Sequence, residues 1–266
     1  MTALTAYVEG IGVLGPGLKD WPCTRAILAG EQPYESRPTV LPLPESLPPA
    51  ERRRTGRIVK LALAVGLEAT ARAAVHPSHL PTVFSSSGGD GQNCHDICET
   101  LASSDRQLSP TRFHNSVHNV AAGYWSIANG ARAPSNSLCA YDASFAAGLL
   151  ESLTQVVVEG GPNLLIAYDS QYPEPLFSKR PIPDAFGIAL LLSPERRPGS
   201  LARVTASLTD TAAQTLAQPE LEKLRSMIPA ARGLPLLQSI AVHRTSRVVL
   251  EYLEGLQLAV EIEPCG

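Results

Sequence analysis

Several features that would assign a function directly are missing from this sequence. Its 266 residues carry a formal net charge of −3, so no basic surface for nucleic acid is expected. No apolar run approaches the length of a membrane-spanning helix. The first residues, MTALTAYVEG, lack the basic and apolar regions of a signal peptide. Five scattered cysteines do not form the pattern of a disulfide framework. These absences predict a soluble, cytoplasmic protein that neither binds nucleic acid nor inserts into a membrane.

Strand-like and helix-like segments alternate along the first two thirds of the chain. Apolar runs at residues 163–170 (NLLIAYDS) and 186–193 (FGIALLLS) lack polar alternation, which is typical of strands covered on both faces. Ile58 and Val65 belong to an apolar stripe at helical spacing. The proline-rich residues 33–50 are predicted to form a surface loop. The alternation predicts a layered α/β domain.

The last third of the chain carries fewer signals. A strand is predicted at ARVTASL, a helix near PELEKLRSMI and a strand at LQLAVEIEP. Neither an internal repeat nor a linker interrupts the sequence. A single domain over residues 1–266 is therefore predicted.

Three short motifs have some of the residues of a ligand site, but each lacks an essential part. Cys94 and Cys98 share a helix face, but a zinc site needs about four ligands, so a half-buried structural role is predicted. His114 and His118 are four residues apart without a third ligand, which favours local hydrogen bonds. The glycines in SSSGGDG lack the Lys-Ser or Lys-Thr of a phosphate loop and indicate a tight turn. Neither a metal nor a cofactor is expected.

The stretch PSNSLCAYDASFAAGLL, from Pro134 to Leu150, has the order of a buried strand, a sharp turn and a helix. Enzymes often place a nucleophile at such a turn. Asp142 immediately precedes the apolar-periodic helix and is predicted to be its N-cap, where the carboxylate also meets the positive end of the helix dipole. Cys139 lies three residues earlier in the strand and is predicted to be buried and inert.

The central part of the chain, FHNSVHNVAAGYWSIANGARAPSNSLCAYDASFAAGLLES, resembles the central block of β-ketoacyl synthases. The residues that match the motifs of that block are Asn119, Ala122, Gly123, Gly130, Pro134 and Ser135. The resemblance extends over about residues 5–195. It implies a thiolase-like layered α/β fold that corresponds mainly to the N-terminal half of a synthase, with residues 196–266 as a reduced C-terminal portion.

The sequence departs from the family at the catalytic positions. The family's nucleophilic cysteine corresponds to Asp142, not to Cys139. The two histidine motifs of the family, His-Gly-Thr-Gly and Asn-x-Phe-Gly-Phe-Gly, do not occur, and His243 lacks the neighbouring glycines. The resemblance therefore implies no catalytic residues. It points to the shortened, chain-length-factor-like proteins associated with aryl polyene biosynthesis, which belongs to type II polyketide or fatty-acid-like pathways.

Such a subunit is expected to form a heterodimer with a catalytic ketosynthase, and an acyl carrier protein is a further candidate partner. By the resemblance, the strand over residues 135–140 pairs across the two-fold axis, and residues 113–118 help to close the partner's acyl tunnel. The residues assigned to this interface and tunnel are Phe113, His114, Asn115, Ser116, Val117, His118, Ser135, Asn136, Ser137, Leu138, Cys139 and Ala140. An obligate interface of more than roughly 2,000 Å² is expected. Residues 196–266, a partner or both must cover the face that a full synthase buries against its second half.

Two alternatives remain open from the sequence. In the first, the chain is a hydrolase or decarboxylase of acyl-carrier thioesters, with Asp142 as a base and His114 or His118 nearby. This alternative is weakened if neither histidine lies within hydrogen-bonding reach of Asp142, directly or through one water. In the second, the chain is a structural homodimeric scaffold without an acyl tunnel.

Overall fold

The computed structural model describes residues 3–266 and contains one mixed β-sheet flanked by helices. Its strands are β1 (Leu4–Leu14), β2 (Thr82–Ser85), β3 (Ser135–Leu138), β4 (Asn163–Asp169), β5 (Phe186–Ser193), β6 (Ala202–Thr209), β7 (Ser246–Leu253) and β8 (Leu256–Pro264). Its helices are α1 (Trp21–Leu28), α2 (Pro49–Arg52), α3 (Arg57–Arg72), α4 (Gly91–Ala102), α5 (Pro110–His114), α6 (Val120–Asn129), α7 (Ser144–Glu159), α8 (Leu176–Lys179), α9 (Pro219–Met227) and α10 (Leu234–Ala241).

The eight strands lie in the order β3-β2-β4-β5-β1-β6-β8-β7. Strand β2 pairs in parallel with β3 and β4, and the remaining neighbours are antiparallel. Strands β4 and β5 are buried along their whole length, as their unbroken apolar runs predict. Strand β3 forms one edge of the sheet, so its residues are exposed or only partly buried.

Helices cover both faces of the sheet, which confirms the predicted layered α/β architecture. On one face, α3 and α6 pack over the central strands, with Trp125 and Tyr168 set edge-on against Phe84. Helix α3 approaches β1 closely, because a Cβ at Gly10 or Gly12 would lie about 2 Å from a backbone oxygen of α3. On the other face, α1, α7, α9 and α10 share the larger core.

Residues 196–266 continue the same sheet and the same core. Strands β6, β8 and β7 extend the sheet beyond β1. Side chains of α10 and of the preceding 3₁₀ turn, among them Ala231, Leu234 and Leu237, are buried in one cluster with Phe145 and Leu149 of α7. The chain's own C-terminal portion therefore covers much of the face of α7.

The C-terminal elements were predicted only in part. Strands β6 and β8 and helix α9 lie where the sequence places them. Helix α10 and strand β7 were not predicted, because α10 is short and apolar around most of its circumference and β7 alternates only weakly. Over residues 3–266, every helix is too short or too polar to cross a membrane.

Candidate functional site

The turn between β3 and α7 has the geometry of an elbow that presents one residue to solvent. Tyr141 has a φ of +52°, a strained value for a residue with a side chain, and a 3₁₀ turn follows over Tyr141–Ala143. The hydroxyl of Ser144 accepts the Ala140 N–H at 3.1 Å and donates to the Tyr141 carbonyl at 2.7 Å. Ser144 therefore fixes the turn from inside.

The predicted N-cap role of Asp142 is wrong. Neither the 3₁₀ turn nor α7 has a side-chain cap, and the Asp142 carboxylate instead accepts Arg180 Nη2 at 2.6 Å and Arg232 Nη2 at 3.1 Å. The 3₁₀ turn places Asp142 upstream of the first helical residue, Ser144, so the carboxylate is turned away from the helix N–H groups. Two arginines from distant parts of the chain occupy its oxygens.

These arginines belong to a chain of ion pairs that leads away from the elbow. Arg232 also pairs with Glu251, and Glu251 binds Arg225 at 3.1 Å. Burial lowers the pKa of Arg232, although the Asp142 carboxylate acts in the opposite direction. The guanidinium of Arg180 lies 3.6 Å from the centre of the Tyr141 ring, in a cation–π contact.

The pKa of Arg180 is raised although the residue is partly buried. Burial is the largest single effect and would lower this pKa, but the Asp142 carboxylate and the side chains of Tyr141 and Tyr172 together outweigh it. Asp142 therefore sits among cations that remain charged and neutralise it. The elbow is held as an ion-paired structural junction.

Replacing Asp142 with alanine is expected to lower the free energy of unfolding by about 2 kcal/mol, because the largely buried guanidinium of Arg180 would lose its counter-ion and that of Arg232 would keep only Glu251. Chemical denaturation measures this change. A double-mutant cycle with Arg232→Ala should give a coupling energy of about 1 kcal/mol or more. The exposed pair between Arg25 and Glu31 is the control, and Glu31→Ala should cost less than about 0.5 kcal/mol. Equal losses of unfolding free energy for Asp142→Ala and Glu31→Ala would show that the ion pairs of Asp142 do not stabilise the fold.

Cys139 is exposed, which contradicts the prediction that it is buried. The prediction treated the strand before the elbow as an interior strand, but β3 lies at the edge of the sheet. The thiol donates to the Ser87 carbonyl, with Sγ 3.2 Å from the oxygen. Ser135 and Asn136 on the same strand are also exposed.

The structure does not bring the candidate histidines to Asp142. His118 Nε2 lies 3.2 Å from the Ser86 carbonyl oxygen. In the part of the chain that the structure describes, neither His118 nor His114 forms a hydrogen bond with Asp142, whose hydrogen-bond partners are Arg180 and Arg232. A direct acid–base pair between Asp142 and either histidine is therefore not formed in the described part of the chain.

The two cysteines of α4 are exposed, so the predicted half-buried role is wrong. Helix α4 fully buries only Gly91, and its remaining residues are exposed or partly buried. His95, between the cysteines, forms a pair with Glu99 at 3.2 Å. Across residues 3–266, His, Cys, Asp and Glu side chains do not gather in a group of three or more that could hold a metal ion. The glycine-rich residues after β2 form the predicted turn, and Gly89 has a φ of +61°.

The segment over residues 113–118 presents apolar side chains to solvent. Phe113 is 65% exposed and Val117 is 51% exposed. Asn115 anchors the segment, because its buried side chain donates to the Arg54 carbonyl at 2.8 Å and accepts the Tyr124 hydroxyl at 3.3 Å. The segment is thus fixed to the body of the protein while its apolar side chains face outward.

Strand β3 has one free edge. Its inner edge bonds to β2, since the Pro134 and Leu138 carbonyls accept the N–H groups of Thr82 and Ser86. Backbone groups alternate in direction along a strand, so Ser135 and Ser137 direct their N–H and C=O groups outward. Within residues 3–266 no strand pairs with this edge. An open edge of this kind is a template for another strand.

Asp169 is a buried polar centre behind the elbow that the sequence analysis missed. Its carboxylate accepts the N–H and the hydroxyl of Ser87 at 2.8 and 2.7 Å and the Ala230 N–H at 2.8 Å. Burial raises its pKa to about 6, against the effect of these hydrogen bonds. The only signal for it in the sequence is an acidic residue at the end of the apolar run NLLIAYD. Asp169 ties the turn after β2 to the 3₁₀ turn before α10.

The stability of this centre is expected to depend on pH. The folded-state pKa of Asp169 lies above its ordinary value of 3.8, so the folded state binds a proton more tightly. Its contribution to stability is fully present below about pH 4 and is lost as the pH rises through about 6. Between about pH 7 and pH 4, the free energy of unfolding of the wild type relative to Asp169→Asn should therefore rise by roughly 2 kcal/mol.

Denaturant unfolding of both proteins at several pH values measures this difference. Asp210→Asn, which removes an exposed carboxylate, controls for the loss of one charge. A difference between wild type and Asp169→Asn that stays constant across this range would contradict the raised pKa.

Comparisons with known proteins place these features in a family context. Residues 29–246 match a family model described as the N-terminal domain of β-ketoacyl synthase. No curated protein matches the sequence. A similar solved structure is that of a ketosynthase (ApeO) in complex with its chain length factor (ApeC) from Xenorhabdus doucetiae, with a TM-score of 0.74 and 22% identity over 97% of this chain and 99% of that chain.

Two further solved structures have the same fold. The ishigamide ketosynthase/chain length factor matches with a TM-score of 0.71 and 16% identity over 98% of this chain and 100% of that chain. A type II PKS acyl-carrier protein in complex with its ketosynthase bound to the hexaketide (AntDE:AntF) matches with a TM-score of 0.76 and 11% identity over 99% of this chain and 100% of that chain. The predicted thiolase-like ketosynthase fold is confirmed.

Proposed function

The chain belongs to the β-ketoacyl synthase family, and we propose that it is a non-catalytic, chain-length-factor-like subunit that pairs with a catalytic β-ketoacyl synthase. In this proposal the synthase performs the condensation, and this chain supports the synthase's fold and shapes its acyl tunnel. The pair acts in the cytoplasm, in type II polyketide or fatty-acid-like biosynthesis of the aryl polyene kind. The whole chain, 1–266, acts as one domain whose last portion is a reduced second half.

The observation that carries this proposal is the state of Asp142. It occupies the elbow position that corresponds to the family's nucleophilic cysteine, and both of its oxygens bind arginines. Each carboxylate oxygen is held by an arginine, and within residues 3–266 no histidine forms a direct hydrogen bond with it. This geometry supports a structural role for the turn between β3 and α7. It gives no support to a hydrolase or decarboxylase.

Pairing is supported by two exposed features that lie on the part of the chain before and at the elbow. The outward-facing backbone groups of Ser135 and Ser137 need a strand partner, and the apolar side chains of Phe113 and Val117 need cover. The similar solved structures are described as a ketosynthase with its chain length factor, and they match this chain over nearly the full length of both. The matched chains are therefore about as short as this one.

The tunnel-shaping role rests on the segment over residues 113–118. Asn115 fixes this segment, so Phe113 is presented on a rigid support. A rigid apolar side chain at the end of a partner's tunnel limits the acyl chain, because an additional carbon would clash with packed atoms. An acyl carrier protein, which one of the similar structures contains, is the proposed source of the acyl chain.

Co-expression with the β-ketoacyl synthases encoded near its gene tests the pairing. A tag on this chain should retain one synthase in equal amounts, and the complex should elute as a heterodimer. An interface of more than roughly 2,000 Å² should keep it associated through gel filtration at micromolar concentration. A stable, monodisperse monomer that retains none of these synthases would contradict the proposal.

A further inference from the structure

The open edge of β3 carries a negative charge from the neighbouring helix. Glu151 of α7 accepts the side-chain N–H groups of Asn136 and Gln155 through one oxygen, at 2.9 and 2.8 Å. The edge that would meet another strand therefore has a carboxylate fixed beside it, hydrogen-bonded to an exposed residue of the strand.

A second copy of this chain could pair with β3 only in a restricted register. Opposite residues in an antiparallel pair point to the same face of the sheet. A two-fold axis perpendicular to the sheet must therefore lie midway between the two copies of one residue, and it is named here by that residue. An axis through Asn136 places Ser135 opposite the copy's Ser137, which bonds all outward-facing backbone groups. The two Asn136 side chains would then face each other, with Cα atoms about 4.5 Å apart.

This register brings two like charges together. Each Asn136 holds its own Glu151 by a hydrogen bond, so the two carboxylates would lie on one face of the sheet, roughly 10 Å apart. An axis through Ser137 makes the two Asn136 residues diagonal neighbours, still about 7–8 Å apart. Like charges at such a distance inside an interface disfavour association about tenfold or more.

We propose that Glu151 selects the partner: it disfavours a second copy of this chain and favours a same-fold chain with a cationic side chain opposite it. In this proposal, charge complementarity to Glu151 favours a different chain with a basic edge as the occupant of this edge. This inference rests on the proposed pairing through β3. It would make heterodimers the favoured assembly even though a homodimer satisfies the same backbone hydrogen bonds.

Self-association of the isolated chain tests this proposal without the partner. Glu151→Gln keeps the acceptor for Asn136 and removes the charge, so the fold should be unchanged. In sedimentation velocity experiments at low salt, the dimer dissociation constant should fall about tenfold relative to wild type. Glu254→Gln removes an equally negative, exposed residue at the opposite edge of the sheet and should leave self-association unchanged.

A charge-reversal variant, Glu151→Lys, provides a second test of the proposal. A mixture of wild type and Glu151→Lys should form mixed dimers in preference to either self-pair, and added salt should weaken this preference. Glu151→Gln should also bind the co-expressed synthase about tenfold more weakly. Equal self-association of wild type, Glu151→Gln and the mixture would overturn the role of Glu151 while leaving the pairing itself intact. Failure of the wild type to bind any synthase would instead contradict the proposed function.

Discussion

Replacing Ser137 with proline is expected to weaken the complex with the catalytic synthase strongly and to leave the isolated chain folded. Ser137 directs its N–H group away from β2, so the folded chain loses no hydrogen bond of its own. Proline is tolerated at such edge positions, but it removes the donor and its ring blocks an approaching strand. The affinity for the synthase should fall by roughly a hundredfold or more. Surface plasmon resonance with the purified synthase measures this loss.

Asn136→Pro is the matched control for Ser137→Pro. Asn136 directs its backbone groups toward β2, so proline there removes a hydrogen bond within the chain. Its melting temperature should fall by several degrees, whereas that of Ser137→Pro should change by less than about 4 °C. Binding of the synthase by Ser137→Pro with wild-type affinity would show that β3 is not the seam.

Replacing Phe113 with alanine is expected to lengthen the products of the co-expressed pair. Phe113 is 65% exposed in this chain and sits on a segment that Asn115 holds in place. If this side chain closes the end of the tunnel, its removal leaves space for at least one more extension unit before the acyl chain meets packed atoms. Mass spectrometry of the products gives the chain-length distribution.

Leu43→Ala is a suitable control for Phe113→Ala, because Leu43 is also exposed, at 67%, but lies in the proline-rich loop. It should leave the chain-length distribution unchanged. Gel filtration must show that both variants still assemble with the synthase. An unchanged distribution for Phe113→Ala in an intact complex would remove this residue from the tunnel.

The fold could be predicted from the sequence because its signals are local. Unbroken apolar runs identified β4 and β5, and helical spacing identified α3. The motif from Asn119 to Ser135 located the elbow by resemblance, although the position of β3 at the sheet edge could not be seen. Strand order depends on contacts between distant segments, and for this reason Cys139 was wrongly expected to be buried.

The chemistry of the elbow could not be predicted because its partners are far away in the sequence. Asp142 binds arginines that lie 38 and 90 residues further along the chain. The simplest local explanation of Asp142 is a helix cap. The 3₁₀ turn before α7 excludes this role. Asp169 was missed for a related reason, since its importance comes from the N–H groups of Ser87 and Ala230, which only the folded chain brings together.

The most direct test of the central claim is the rate of acyl chain elongation by the purified synthase alone, this chain alone and the two together. We predict elongation only by the pair, no product from this chain alone, and full activity of a pair that carries Cys139→Ser. Substitution of the synthase's own nucleophile should abolish the activity of the pair. Elongation by this chain alone, or a synthase rate that is the same with and without it, would contradict the claim that this is a required, non-catalytic subunit.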